Sequence, residues 1–119
     1  MMQEYVPKYR IAHVGINNPD SESALDVVQR LCAIFDLYPN DETATHIFAG
    51  DLFEVKKNCT KGKYGHIAMQ TDDIELAITH LEKKGVRIRE NSIKRNADGR
   101  IKFVYLDLDI AGFAFHLML

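Results

Sequence analysis

Apolar and polar residues alternate from Lys8 to Asn17. Ala12, Val14 and Ile16 fall on one side and His13, Gly15 and Asn17 on the other, the two-residue period of a strand with one face in a core. The period then changes. Asn18-Pro19-Asp20-Ser21 is a helix-entry signal, and Ala24, Leu25, Val28, Leu31, Cys32 and Phe35 follow at helical spacing, a stripe able to cover the strand's apolar face. Leu37 to Glu42, containing Pro39-Asn40-Asp41, reads as a turn or a poorly formed strand. Thr43 to Ala49 and Leu52 to Lys57 read as strands flanking Gly50-Asp51, and glycine at the first turn position suits a two-residue hairpin.

After a polar link over 58–63 the order starts again. Tyr64 to Thr71 is a strand, and Asp72 with Glu75 three residues on predicts a capping box ahead of the stripe Ala77, Ile78, Leu81. Lys83 and Lys84 complement the helix dipole and Gly85 supplies a left-handed cap. Val86 to Glu90 and Ile93 to Arg95 are strand material, Asn96-Ala97-Asp98-Gly99 is a turn, and Ile101 to Leu106 and Phe113 to Leu119 complete a sheet.

The two halves also match residue by residue. His13-Val14-Gly15-Ile16-Asn17 lies over His66-Ile67-Ala68-Met69-Gln70, and the match continues through Asp20/Asp73, Glu22/Glu75, Ala24/Ala77, Leu25/Ile78 and Val28/Leu81. Near the ends, Gly50-Asp51-Leu52-Phe53-Glu54-Val55 lies over Gly112-Phe113-Ala114-Phe115-His116-Leu117. A repeat of this kind predicts two copies of one supersecondary unit with equivalent residues in equivalent places. His13 and His66 then form one symmetric pair, Glu54 and His116 another.

Strand parity agrees. Phe53 and Val55 oppose Glu54, while Phe113, Phe115 and Leu117 oppose His116. If the apolar sides pack on the helices, all four polar groups point to the other, concave side of a curved sheet. Asn17, Gln70 and Lys56 share that parity. Glu54 has a second reading as a surface partner of Lys56 or Lys57, and His116 as a group that caps the sheet near a chain end. His46 and His80 read as solvent-facing, and Phe103, Tyr105, Phe113 and Phe115 as core.

Composition narrows the setting. A chain of 119 residues suffices for one domain with an ordinary core. Its division is expected at about 8–57 for the first module, 58–63 for a link and 64–119 for the second. Cys32 and Cys59 have neither zinc-ligand nor redox-motif spacing, which fits a reduced, cytoplasmic protein. Met1 to Tyr9 has no apolar segment of the signal-peptide kind and no stretch reaches membrane-spanning length. Net charge is −2, and the basic residues Lys83, Lys84 and Arg87 to Arg100 are interspersed with acids and amides, so neither a nucleic-acid nor a membrane partner is expected.

On His13-Val14-Gly15-Ile16, His66 to Ile74 and Asp109 to Leu117, nearly the whole chain resembles the vicinal oxygen chelate superfamily of glyoxalases, epimerases, extradiol dioxygenases and antibiotic-resistance proteins. The resemblance implies an α+β fold in which two βαβββ modules form a glyoxalase-like cup. It also implies a divalent metal held at the first and last strands of each module, here His13, Glu54, His66 and His116. Two departures stand out. His116 occupies a place where many members have a carboxylate, leaving Glu54 as the single catalytic acid–base candidate. Module one is also shorter between its paired positions, 13 to 54 against 66 to 116, which implies a stunted second strand and a more open cup. Phe48 to Val55 and Gly112 to Leu117 are similar, in addition, to small domains associated with bacterial 2-keto-3-deoxy-6-phosphogluconate/4-hydroxy-2-oxoglutarate aldolases.

Three imidazoles and one carboxylate suit zinc, nickel, cobalt or iron(II). The expected function is a metal-dependent lyase or isomerase of the glyoxalase type, acting on a small oxygen-rich carbonyl compound. The alternatives are a non-catalytic small-ligand-binding module, which sequesters a ligand or assists such an aldolase, and a duplicated scaffold or regulatory domain. The open cup and its strand edges predict a homodimer.

Overall fold

The computed structural model describes residues 6–119. Residues 1–5, the head of the segment read for a signal peptide, lie outside it. The elements are β1 (Arg10–Ile16), α1 (Ser21–Phe35), β2 (Pro39–Asn40), β3 (His46–Ala49), β4 (Phe53–Lys56), β5 (Gly65–Gln70), α2 (Ile74–Glu82), a 3-10 turn (Glu90–Ser92), β6 (Lys94–Arg95), β7 (Ile101–Ile110) and β8 (Phe113–Met118). The order is βαβββ twice. All strands join one mixed, curved sheet in the order β2-β3-β4-β1-β5-β8-β7-β6. The edge strands β2 and β6 are two residues long, which leaves little backbone for edge pairing. No described helix is long and apolar enough to cross a membrane.

Both helices begin at an aspartate. Asp20 accepts the Ser23 N–H at 2.8 Å and caps α1. For α2 the cap is Asp73, which accepts from Leu76 N at 3.1 Å, and not Asp72. The predicted box does not form because Glu75 turns its carboxylate to the Ile101 N–H at 2.9 Å, tying the helix to β7. Gly85, at φ +85°, ends α2 as predicted: Gly85 N bonds Glu82 O and Val86 N bonds Leu81 O.

Each helix lies on the same face of the sheet. Ala24 and Val28 of α1 pack on Ile47, Ala49 and Val55; Ile74, Ala77 and Ile78 of α2 pack on Val104, Leu106 and Leu117. The stripe predicted for α1 is too wide, since Leu25 and Phe35 are 49% and 61% exposed. The hairpin expected at Gly50-Asp51 is a three-residue connection, Ala49 pairing with Phe53, because the Leu52 carbonyl is taken by Val14 N of the neighbouring strand at 2.7 Å. The two-residue turn occurs at Ala111-Gly112, both at positive φ, between Ile110 and Phe113. β7 therefore runs four residues past the predicted end at Leu106.

In β1 a bulge breaks the expected alternation: Ile11 pairs with Met69 but His13 with Ala68. Beyond it the predicted parity holds. The material from Val86 to Glu90 contributes one bridge, Ile88 to Leu106, and then the 3-10 turn rather than a strand. Neither cysteine is in a disulfide.

Candidate functional site

Four central strands place the predicted groups on the face away from the helices, where His13, His66 and His116 come together and Glu54 meets His13 and His66. Along one row of the sheet Glu54 pairs with Gly15 and Gly15 with His66, while His66 pairs with Ala114. In the next row His13 pairs with Ala68 and Ala68 with His116. Large polar groups thus alternate with Gly15, Ala68 and Ala114, and the small residues leave room for rings from neighbouring strands to lean inward. Gly15 is the tightest of these places. A Cβ there would fall inside the His66 imidazole.

The in-facing atoms are close. His66 Nε2 lies 3.3 Å from His13 Nε2 and 3.1 Å from Glu54 Oε1, and His13 Nε2 lies 3.9 Å from the same oxygen. His13, His66 and His116 each offer a ring nitrogen within 4.8 Å of the others. His66 Nε2 carries at most one proton, so it satisfies only one of its two neighbours. Crowded lone pairs in a site of low exposure are what a cation relieves. Donors about 2.0–2.1 Å from one ion lie roughly 3.0–3.4 Å apart at ordinary coordination angles, which the two short separations match.

Protonation states favour the same use. Burial drives the His116 imidazole down to about 3, helped by His66 and His13, and burial also lowers His13. Both rings are neutral at pH 7, the form that binds metal. Burial of Glu54 opposes its charge, but the hydrogen bond to His66 and the fields of His66, His13 and Lys56 outweigh it and hold the carboxylate at about 2. His66 Nδ1 and His116 Nδ1 are buried without a hydrogen-bond partner among the described residues.

Several residues around the cluster were not expected there. His46 is not solvent-facing. Its side chain is 17% exposed, with Nδ1 3.5 Å from Glu54 Oε2 and Nε2 3.3 Å from Asp41 Oδ2, so it steadies the second carboxylate oxygen. Phe48 stands edge-on to both His13 and His46. Phe103 and Tyr105 are not core residues: their ring centres lie 4.4 and 5.2 Å from that of His116, and both line a cavity of about 500 Å³. The repeat held this information. Phe48 pairs with Glu54 as Tyr105 pairs with His116, and the parity that sends Ile47, Ala49, Val104 and Leu106 to the helices sends these rings to the cup. Burial, then the charge of Glu54, raises the Tyr105 phenol, which therefore stays protonated.

The cavity opens on His13, Glu54 and His116, with Lys56 also on its wall; His66 lies beneath, 4% exposed. One side is built by Asn91 to Lys94, where Ser92 Oγ donates to Arg89 O at 2.6 Å and accepts Tyr105 N at 2.8 Å. Module one has only the two-residue β2 at the equivalent place. Asn17 and Gln70 share the predicted parity but have structural partners, Asn17 with Gly62 O at 3.0 Å and Gln70 with Arg10 at 3.2 Å. His80 is remote from the cluster and meets the Tyr9 hydroxyl at 3.1 Å.

No family model and no curated protein matches the chain. Solved structures do match its fold. A hypothetical protein, BH1468 from Bacillus halodurans C-125, superposes with a TM-score of 0.60 at 17% identity, covering 92% of this chain and 93% of that one. A selenomethionine methylmalonyl-CoA epimerase gives 0.60 at 14% identity, over 91% and 92%. A methylmalonyl-CoA epimerase in complex with methylmalonyl-CoA and NH4+ gives 0.56 at 17%, again over 91% and 92%. These neighbours belong to the vicinal oxygen chelate superfamily, and the chain has their glyoxalase-like fold. They lend no support to the aldolase-associated resemblance.

Proposed function

We propose that this protein is a metal-dependent isomerase or lyase of the glyoxalase type, with His13, Glu54, His66 and His116 holding one divalent ion and a small oxygen-rich carbonyl compound binding in the adjoining cavity. The observation that carries this reading is the convergence of His13 Nε2, His66 Nε2 and Glu54 Oε1 within 3.1–3.9 Å, with the His116 imidazole beside them. When bound, the ion would supply Lewis-acid polarisation of substrate oxygens and stabilise an enolate. Phe103 and Tyr105 present flat apolar walls against which a planar carbonyl compound can lie, and the protonated Tyr105 hydroxyl is available as a donor. Among the described residues Glu54 is the only carboxylate lining the cavity, so a proton taken from the substrate would pass to it.

A second reading has its own support. A carboxylate held at about 2 is an excellent anionic ligand but a weak base at neutral pH, which favours a binding module that keeps the cup without turnover. The methylmalonyl-CoA epimerase in complex with methylmalonyl-CoA is consistent with either reading, since a complex shows binding alone. The test is a panel of 2-oxoaldehyde–glutathione adducts, acyl-CoA esters and 2-keto acids, assayed with zinc, nickel, cobalt and manganese. Metal-dependent turnover of any member supports the enzyme; saturable binding without turnover across the panel supports the module.

A further inference from the structure

The cavity carries a charge opposite to that of the chain. Net charge overall is −2, yet Lys56, Lys61 and Lys94 line the cavity against one carboxylate, Glu54. Lys61 comes from the link 58–63 and Lys94 from β6, at separate places in the sequence. Lys61 Nζ stands 5.1 Å from the centre of the Tyr105 ring and Lys94 Nζ 4.7 Å from that of Phe103, and these two rings are themselves 5.4 Å apart. Neither ammonium makes an ion pair among the described residues, whereas Arg10, Lys57, Arg89 and Arg100 each meet a carboxylate. Two cations resting on neighbouring aromatic faces lose little by swinging toward a stronger negative partner.

We propose that the cavity receives a small dianion, with anionic oxygens of a phosphate or carboxylate group held between Lys61 and Lys94 and the carbonyl end of the molecule directed to His13, Glu54 and His116. This names the substrate class of the site proposed above and rests on the cavity being its ligand site. A neutral carbonyl compound would leave both lysines without a counter-charge. Phe103 and Tyr105, set edge to face, line the cavity together with Asn91 and Ser92. Attraction of this kind weakens with salt and does not depend on a bound metal.

The experiment is calorimetric titration, at pH 8, of the metal-free full chain with dihydroxyacetone phosphate and malonate, both dianions, and with neutral dimethyl malonate. Saturable binding of a dianion is expected, weakening several-fold between about 20 and about 200 mM NaCl. The Lys61→Gln/Lys94→Gln variant should bind about tenfold more weakly, while Lys84→Gln/Arg87→Gln, which removes the same charge beyond the end of α2, should bind as the unaltered chain does. The dianion with the lower Kd identifies phosphate or carboxylate as the favoured head group. Equal binding of dimethyl malonate, equal weakening in both double variants, or no anion binding at millimolar concentration would overturn the proposal. Because no metal is present, a chain that holds metal but binds no dianion defeats this inference alone, and a chain that binds the dianion but no metal defeats only the metal reading.

Discussion

Gly15 and His66 face each other across the central β1–β5 ladder, and the imidazole occupies the space in which a side chain at Gly15 would begin. The backbone of Gly15 is in an ordinary strand conformation, so the need for glycine there is a need for room. Its place between Glu54 and His66 in one row of the sheet makes it the spacer that lets two strands, β4 and β5, direct their polar groups to one point.

Gly15→Ala should therefore move the His66 ring and disorganise the cluster. We expect a loss of about 1–3 kcal/mol in stability, as for other overpacked interiors, together with reduced metal content. Urea unfolding and elemental analysis check this. An alanine variant with unaltered midpoint and metal content would show that the ring is not fixed by Gly15.

Acid should destabilise the metal-free protein. His116, held at about 3, and His13, also lowered, have folded values below their ordinary 6.5, so the unfolded chain takes up protons first as pH falls. The contribution of both is complete above about 6.5 and declines as pH falls, that of His116 being lost toward 3. Glu54, lowered from 4.5 to about 2, adds stability that is present above 4.5 and lost between 4.5 and 2. All three slopes have the same sign. The urea midpoint should be lower at pH 5 than at pH 8, and His116→Gln should flatten the difference; greater stability at pH 5 contradicts the neutral-cluster account.

Much of this site is legible in the sequence. The repeat placed His13 over His66 and Glu54 over His116, and strand parity put all four on one face, because period-two alternation and burial against helices leave a strand little freedom. The same rule extends to His46, Phe48, Phe103 and Tyr105, whose neighbours Ile47 and Val104 are buried under the helices. Treating aromatics as core by type, rather than by parity, hid the cavity wall. Other features depend on contacts distant in sequence. Glu75 leaves its cap position for the Ile101 amide, and Ser92 sets the 3-10 turn by bridging Arg89 and Tyr105, neither of which shows in a local pattern.

Glu54→Gln separates the two proposed functions. The amide keeps the shape and a coordinating oxygen but cannot accept a proton as the carboxylate does, so an enzyme should lose about 100-fold or more in turnover while ligand binding survives. His46→Ala, which frees only the outer oxygen of Glu54, should have a smaller effect in the same assay. Equal turnover in the Glu54→Gln variant and the unaltered chain would remove Glu54 from the chemistry.

The central claim is that three imidazoles and a carboxylate form a metal centre, and metal stoichiometry tests it most directly. Protein purified without chelators, or reconstituted with zinc, nickel, cobalt or manganese and then desalted, should carry about one divalent ion per chain. His66→Ala and His116→Ala, each checked for folding by circular dichroism, should carry far less. A folded chain that holds no ion after reconstitution with any of the four metals, or variants that hold as much as the unaltered protein, would contradict the account.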